Sequence, residues 1–354
     1  MKEQGSTNLG FGKKKKKNLG LRRFGGGART RKLCSAVEKE ELSGEQPAMA
    51  ANSSSPAFEN FRLFASVEDE KSNPGLGIGF LDSQQPSLPP PPPCLEVISS
   101  EVSSSVKYKV EPVSVGGLTM FKGRVSTQEV FSLSNSDLVP GEYEGGLKLW
   151  EGALDLVKAL CGEVENGHLS FAGKRVLEIG CGHGLPGIYA CLEDAAAVHF
   201  QDFNAEVLRC LTIPNVTANL SKMAAESEAR SEVRYFAGDW SEMHKILPFA
   251  PDNVVKLSGS CDPGQVSGYD IVLMAETVYS LSTLKTLYKL ITQCLSRPHG
   301  VVYLAGKKHY FGVGGGTRRF LSVLEKEGEM VSKLIAEVAD GSSNVREVWK
   351  LSLK

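Results

Sequence analysis

The stretch Arg175-Val-Leu-Glu-Ile-Gly-Cys-Gly-His-Gly184 decides the fold of this 354-residue chain, because it joins a short apolar segment to a glycine-rich turn. Residues 175–179 have the length and composition of a buried strand, and residues 187–191 begin a helix. Glycines at such a junction permit a tight turn and bring a ligand close to the free N–H groups of the helix N-terminus. Dinucleotide-binding loops space their glycines G-x-G-x-x-G. This loop instead reads G-x-G-x-G, with Glu178 two residues before the first glycine.

Strands and helices alternate along the rest of the chain, which predicts an α/β fold with a doubly wound, mainly parallel sheet. The predicted later strands are 197–202, 233–237, 270–275 and 301–305, and the predicted helices lie after Asn204 and over 284–295 and 317–326. Two longer strands, about 330–338 and 345–353, flank a turn at Gly341 and should form an antiparallel edge. A helix is also predicted over 147–160, where apolar residues recur at helical spacing.

Acidic residues occur at the ends of four successive strands, and ligands of open α/β sheets bind at the carboxyl ends of the strands. Glu178 can receive an ammonium group, and Asp202 can accept both hydroxyls of a ribose. Asp239 can accept a hydrogen bond from an exocyclic amine, and the ring of Trp240 can cover a purine. Glu276 lies at the centre of the sheet, where a reacting atom should be. The set suits a ligand with an amine, a ribose and an adenine but no phosphate, which predicts S-adenosylmethionine as cofactor.

The chain divides into three predicted regions. Residues 1–105 are predicted to be disordered, first basic and then rich in Ser and Pro, because they lack hydrophobic periodicity. Residues 106–145 form an extension with short strands, and residues 146–354 form the α/β domain. The run of prolines from Pro89 to Pro93 is expected to be a stiff spacer. Met49 offers a second start, and a product lacking the basic tail is a hypothesis.

Charge and cysteine usage limit the class of protein. Residues 1–33 hold eleven Lys and Arg and one acid, whereas the whole chain has a net charge of −1, so the body is acidic. A nucleic-acid-binding groove on the fold is therefore disfavoured, and the tail is either a nuclear-import or RNA-contacting patch or a solvated basic tail. No apolar run approaches the roughly 18 residues of a membrane span. The eight cysteines form no CxxC pair, which predicts reduced intracellular thiols and no metal site.

Residues 175–276 resemble the seven-strand class I methyltransferases, whose first motif is [E/D]-x-G-x-G-x-G. Two narrower strings, Tyr143-Glu-Gly-Gly-Leu-Lys-Leu-Trp-Glu151 and His309-Tyr-Phe-Gly-Val-Gly-Gly-Gly316, resemble the histidine protein methyltransferases of eukaryotes. The resemblance covers residues 106–354. It implies a Rossmann-like methyltransferase fold with seven strands and transfer of a methyl group from S-adenosylmethionine to a ring nitrogen of a histidine. The implied substrate is a large-subunit ribosomal protein.

The resemblance also implies roles for individual residues. Residues 149–153 and 178–184 should face the methionine end of the cofactor, Gln201, Asp202 and Asn204 the ribose, and Asp239 and Trp240 the adenine. Glu276 is the first candidate to hold the proton on the second ring nitrogen of the substrate, with Tyr279, His309 and Tyr310 as pocket walls. The cofactor-binding residues are then Leu149, Trp150, Glu151, Gly152, Ala153, Glu178, Gly180, Cys181, Gly182, Gly184, Gln201, Asp202, Asn204, Gly238, Asp239, Trp240 and Ala275, and the catalytic residues are Glu276, Tyr279 and His309. His183 is expected to point outward without a role.

Other functions stay open at this point. Related lysine methyltransferases carry Asp-x-x-Tyr after the fourth strand, and Glu276-Thr-Val-Tyr279 has that spacing. A non-catalytic module that binds ribosomes or RNA is a second alternative, and the glycine spacing disfavours the third, a Rossmann oxidoreductase. Expected partners are the ribosomal substrate, a ribosome-assembly factor and, through the tail, a weak RNA contact. We expect a monomer without membrane association, located in the cytoplasm and nucleus.

Overall fold

The computed structural model describes most of the chain from residue 90 onward. The described ranges are 90–103, 106–134, 136–221, 231–250, 253, 268–339, 341 and 344–354. The predictions made for the basic tail and for Met49 lie outside these residues.

The described residues form ten strands and eight α-helices, with one π-helical turn. The strands are β1 (Leu95–Val97), β2 (Lys109–Val115), β3 (Leu118–Arg124), β4 (Arg175–Ile179), β5 (Ala197–Asp202), β6 (Glu232–Ala237), β7 (Ile271–Ala275), β8 (Val301–Lys307), β9 (Met330–Val338) and β10 (Arg346–Leu353). The helices are α1 (Thr127–Phe131), α2 (Glu151–Glu165), α3 (Leu185–Leu192), α4 (Ala205–Val207), α5 (Ile213–Leu220), α6 (Trp240–Met243), α7 (Leu284–Cys294) and α8 (Thr317–Glu327), and the π-helical turn Leu208–Thr212 joins α4 to α5.

The main sheet has the strand order β1-β6-β5-β4-β7-β8-β10-β9. The five consecutive strands β6, β5, β4, β7 and β8 pair in parallel with one another. Strand β1 runs antiparallel to β6, and β10 runs antiparallel to both β8 and β9. The predicted doubly wound, mainly parallel sheet with an antiparallel edge is therefore confirmed. Because β4 lies in the middle and the chain leaves it in both directions, a crevice opens at the carboxyl ends of β4 and β7.

Helices cover both faces of the sheet, so the central strands β4, β5, β7 and β8 are buried on both sides. On one face, Leu156 of α2 and Ile188 of α3 pack with Val176 and Phe200 of the sheet. On the other face, Leu287 of α7 packs with apolar residues of α6, α8 and strands β4, β7 and β8. Burial on both sides explains why the strand Ile271–Ala275 is continuously apolar.

Strand β1 differs from the sequence prediction, which placed residues 95–97 in a disordered tail. Residues Leu95–Val97 pair antiparallel with β6 and add an eighth strand to the sheet, where seven were expected. Val97 is 1% exposed and belongs to the hydrophobic core. A segment of three residues is too short to show hydrophobic periodicity, and the partner strand lies about 140 residues away in sequence, so no local pattern reveals it.

A separate hairpin, β2–β3, precedes the main sheet. Its turn is Gly116-Gly117, and both glycines have positive φ (+59° and +78°), as a two-residue hairpin turn requires. The predicted helix over 147–160 begins later, at Glu151, because Trp150 is extended (φ −90°, ψ 143°) and caps the helix.

Candidate active site

A cavity of about 480 Å³ opens at the carboxyl ends of β4, β5 and β7, between these strands and the segment before α2. This volume lies within the range of about 300–1,000 Å³ that is typical of small-molecule sites. The predicted site residues that line the cavity are Leu149, Trp150, Ala153, Gly180, Cys181, Gly182, Asp202, Asp239, Trp240, Ala275, Glu276 and Tyr279. The sheet topology thus brings these twelve residues together, although they span more than 120 positions of sequence.

The remaining predicted site residues do not line the cavity. They are Glu151, Gly152, Glu178, Gly184, Gln201, Asn204, Gly238 and His309. Gly152, Gln201 and Asn204 instead form hydrogen bonds with residues that line it.

The glycine-rich turn after β4 is shaped by backbone conformations that only glycine adopts easily. Gly180, Gly182 and Gly184 all have positive φ, from +47° to +71°. A Cβ at Gly182 would lie 2.9 Å from the carbonyl oxygen of Gly146, so the turn also packs tightly against the segment before α2. Two walls of the cavity therefore meet at this contact.

Asp202 ends β5 beside this turn, and the residue is 4% exposed. The Gly182 N–H donates to Oδ2 at 2.9 Å, and the Asn204 N–H donates to Oδ1 at 3.1 Å. Burial raises the pKa of Asp202 to about 6, although these two hydrogen bonds favour the ionised form. A buried carboxylate with spare lone pairs and a raised pKa would be stabilised by a ligand that donates further hydrogen bonds.

Glu178 lies one residue before the end of β4 and faces away from the cavity. Its Oε2 accepts a hydrogen bond from the Gly187 N–H in the first turn of α3, at 2.8 Å. Burial raises the pKa of Glu178 well above its ordinary value. Because side chains alternate along a strand, Glu178 shares the face of Val176, and that face packs on α3. In this geometry Glu178 does not make the direct contact with an ammonium group that the sequence predicts.

Gln201 holds the turn and the β6 end of the cavity together. Its Oε1 accepts hydrogen bonds from the Gly180 N–H at 3.2 Å and from Trp240 Nε1 at 3.0 Å, and its Nε2 donates to the Gly238 carbonyl at 3.0 Å. Gln201 is 0% exposed. It therefore positions the indole of Trp240 rather than meeting a ribose directly.

Asp239 begins the short helix α6 and caps it. Its Oδ1 accepts from the Ser241 N–H at 2.9 Å and from the Ser241 hydroxyl at 2.5 Å. The half-buried Asp239 and Trp240 line the same end of the cavity.

Glu276 lies at the centre of the site, directly after β7, and it is 8% exposed. Its backbone has a positive φ of +58°, a conformation that costs a non-glycine residue free energy and is concentrated at functional positions. The Gly152 N–H donates to Oε1 at 3.1 Å, and the Tyr310 hydroxyl donates to Oε2. Burial raises the pKa of Glu276, while the Tyr310 hydroxyl and the charge of Lys307 act in the opposite direction.

Tyr279 lines the cavity on the same loop as Glu276. Its hydroxyl donates a hydrogen bond to Glu144 Oε2, and its pKa is raised, chiefly by burial. Glu144 also lines the cavity, so the acidic wall continues from Glu276 towards the segment before α2.

His309 is exposed and lies outside the cavity lining, whereas its neighbour Tyr310 reaches Glu276. The His309 carbonyl accepts a hydrogen bond from Asn344 Nδ2 at 2.5 Å. Both residues were predicted as pocket walls, and neither belongs to the cavity lining, but Tyr310 contacts a residue that does, Glu276.

Several cavity residues had no assigned role from sequence. Phe203 lines the cavity and follows Asp202 directly. An aromatic side chain next to the predicted ribose-binding residue is the sequence feature that could have identified it. His183, expected to point outward, is 5% exposed and lines the cavity, and burial lowers its pKa to about 4. Thr277 also lines it, and among the described residues its buried hydroxyl has no hydrogen-bond partner. Pro90 and Pro91 complete the wall.

These groups fit S-adenosylmethionine. The buried carboxylate of Asp202 can accept from ribose hydroxyls, Phe203 and Trp240 offer aromatic surface for a purine, and the glycine-rich turn admits close approach of a backbone-sized group. Within the part of the chain that the structure describes, no cluster of three or more His, Cys, Asp or Glu could hold a metal ion. The fold and the site together define a class I methyltransferase that depends on S-adenosylmethionine.

Comparison with known proteins specifies the family. The chain is 40% identical over 222 residues to histidine protein methyltransferase 1 homolog of Dictyostelium discoideum, which covers 63% of this chain and 62% of that protein. It is 34% identical over 308 residues to the homolog of Rattus norvegicus, which covers 78% of this chain and 80% of that protein. The chain belongs to the histidine protein methyltransferase 1 family. No protein-family model matches it.

Solved structures match only distantly. Magnesium protoporphyrin IX methyltransferase from Synechocystis, with bound S-adenosylhomocysteine, has 10% sequence identity and a TM-score of 0.38, over 57% of this chain and 83% of that protein. The family assignment therefore rests on the curated relatives. Among the described residues, none of the helices is both long and apolar enough to cross a membrane.

Proposed function

We propose that this protein transfers the methyl group of S-adenosylmethionine to a ring nitrogen of a histidine side chain in a large-subunit ribosomal protein. Membership of the histidine protein methyltransferase 1 family supports the reaction. The ribosomal substrate is carried over from the motif resemblance.

The cofactor would be held along the cavity from β4 to β6. Asp202 accepts hydrogen bonds from the ribose hydroxyls, and Asp239, Trp240 and Phe203 bind the adenine end. The methionine end lies between the glycine-rich turn and residues 149–153. Bound S-adenosylmethionine supplies a methyl group that its sulfonium already makes electrophilic.

The protein must present a neutral imidazole with its lone pair aimed at that methyl group. The ordinary pKa of histidine is about 6.5, so most of the substrate is neutral at cellular pH without help from a base. The remaining work is orientation and choice of tautomer, and both need an acceptor for the proton on the other ring nitrogen.

Glu276 is that acceptor, and its geometry is the observation that carries the proposal. Its carboxylate is buried, lines the cavity at the centre of the sheet, and is oriented from both sides by Gly152 and Tyr310. A hydrogen bond from the imidazole N–H to a carboxylate held in this way fixes the ring. It also stabilises the positive charge that the imidazole gains as the methyl group is transferred.

The substitution Glu276→Gln tests this role, because it keeps the shape and removes the charge. We expect kcat to fall about 100-fold, consistent with loss of one charge-assisted hydrogen bond in the transition state. The Kd for S-adenosylhomocysteine should change less than about threefold, roughly 0.7 kcal/mol. Glu325→Gln, which removes an exposed carboxylate on α8, is the matched control. If Glu276→Gln retained the wild-type kcat, the proposed role of Glu276 as acceptor for the imidazole N–H would be contradicted.

The remaining proposals concern partners and location, and they are made from the sequence alone. We infer a ribosome-assembly factor as a further partner, a weak RNA contact made by the basic tail, and a monomeric protein in the cytoplasm and nucleus. Fractionation of cells that express the full chain, compared with a chain whose residues 13–17 are alanine, tests the nuclear part. Equal nuclear fractions would contradict a role of the lysine run in import.

A further inference from the structure

The segment that leads into β1 extends the main sheet towards the cavity. Strand β1 runs antiparallel to β6, with Leu95 opposite Ala237 and Val97 opposite Tyr235. Because β6 points its carboxyl end at the cavity, an antiparallel neighbour must approach from that same end. The residues before Leu95 therefore lie beside the carboxyl end of β6, next to Gly238 and Asp239.

Three contacts fix this segment in place. Val97 is buried in the core, and Arg234 forms a two-pronged ion pair with Glu96, at 2.8 and 2.7 Å. Cys94 packs so closely on Gly238 that a Cβ at Gly238 would lie 2.5 Å from Cys94 Sγ. Residues 94–97 thus form an anchor that is held by packing and backbone pairing as well as by surface charge.

The prolines that precede this anchor divide between two surfaces. Pro90 and Pro91 line the cavity together with Phe203, Asp239 and Trp240. Pro92 and Pro93 do not line it, and they border a neighbouring depression that Pro90 also reaches. The chain therefore passes across the mouth of the cavity at the end where the adenine is proposed to bind.

We propose that Pro90 and Pro91 form part of the adenine-binding wall and set the affinity for the cofactor. This inference rests on the proposed function, since it assumes S-adenosylmethionine in the cavity. Purine rings bind to flat apolar surfaces, and proline rings provide one without an N–H group that would need a partner. A polyproline segment is also stiff before the ligand arrives, so little conformational entropy is lost on binding.

Binding measurements on two matched double variants of the full chain test this inference. Pro90→Ala with Pro91→Ala removes ring atoms from the cavity wall, whereas Pro92→Ala with Pro93→Ala makes the same chemical change beside it. Isothermal titration calorimetry would give the Kd for S-adenosylhomocysteine and for 5′-methylthioadenosine, which lacks the amino-acid portion. Thermal unfolding without ligand would show that both variants keep the fold.

For the Pro90 and Pro91 variant we expect the Kd of both ligands to rise about fivefold to tenfold, as loss of one or two buried methylene contacts would produce. The Pro92 and Pro93 variant should stay within about twofold of wild type. If the Kd rises by the same factor for both ligands, the prolines act on the adenosine portion that the two ligands share.

Two results would overturn the inference. The first is wild-type affinity in both double variants. The second is a loss confined to S-adenosylhomocysteine, which would place the prolines at the methionine end. In both cases the wild-type protein still binds the ligand, so the proposed function stands. Failure of the wild-type protein to bind S-adenosylhomocysteine would instead contradict the proposed function, and this inference with it.

Discussion

Asp202 should make the unliganded protein less stable as the pH rises, and the substitution Asp202→Asn should remove that dependence. Burial raises the pKa of Asp202 from 3.8 to about 6 in the folded protein. Between these values the folded state binds more protons than the unfolded state, so the free energy of unfolding falls with increasing pH. The loss begins above the unfolded pKa and is complete above the folded pKa.

The size of the effect follows from the pKa values. A rise of about two pKa units at about 1.4 kcal/mol each corresponds to about 3 kcal/mol of lost stability at pH 7. About 2 kcal/mol of this develops between pH 4 and pH 7. Asparagine cannot accept from both the Gly182 and Asn204 N–H groups, but that loss does not depend on pH. The pH dependence of the difference between variant and wild type therefore isolates the carboxylate.

Urea unfolding of both proteins at several pH values between 4 and 7, without ligand, measures this difference. The stability of Asp202→Asn relative to wild type should increase by about 2 kcal/mol over that range. Ligand affinity should instead increase with pH, because hydrogen bonds from the ribose hydroxyls favour the ionised form of Asp202. The wild-type Kd for S-adenosylhomocysteine should improve as the pH rises through 6, and the variant should bind about 10- to 100-fold more weakly at pH 7.5. Parallel stability curves for the two proteins would refute the reasoning.

Three further substitutions test how Glu276 is held and how the start of α8 is anchored. Tyr310→Phe removes a donor that lowers the pKa of Glu276. The acidic limb of the kcat profile should therefore move to higher pH, and an unmoved limb would contradict this. Gly152→Ala would place a Cβ 2.5 Å from Glu276 Oε1 and so displace the carboxylate. Steady-state kinetics should then show a kcat about 10- to 100-fold lower. An unchanged kcat would mean that the position of the carboxylate is not critical. Glu347→Ala removes a fully buried carboxylate that accepts from the Thr317 hydroxyl at the start of α8 and from Trp349 Nε1. Because these buried donors lose their acceptor, chemical unfolding should show about 2 kcal/mol less stability, and a loss below about 0.5 kcal/mol would count against this anchor.

The sheet could be predicted from sequence because burial on both faces leaves a strong local signal. The apolar run Ile271–Ala275 and the long antiparallel pair Met330–Val338 and Arg346–Leu353 were each predicted within one residue or so of their ends. Strand β1 could not be predicted, since Leu95–Val97 is defined by pairing with a distant strand rather than by its own pattern.

The candidate site was predictable as a set of strand ends but not as a set of contacts. Topology alone places Asp202 and Glu276 at one cavity. The partners of Glu276, however, come from positions 124 and 34 residues away, and no local pattern relates them. Glu178 shows the opposite case, because the period of two along β4 already indicates that it shares a face with Val176 rather than facing the cavity.

The identity of the methylated amino acid tests the central claim most directly. The purified protein would be incubated with labelled S-adenosylmethionine and an extract deprived of methylation, and the labelled protein band would then be hydrolysed. The account predicts methylhistidine in one large-subunit ribosomal protein, and it predicts that Glu276→Gln greatly reduces that label. Methyllysine in the labelled band, or no label from a protein that binds the cofactor, would contradict it.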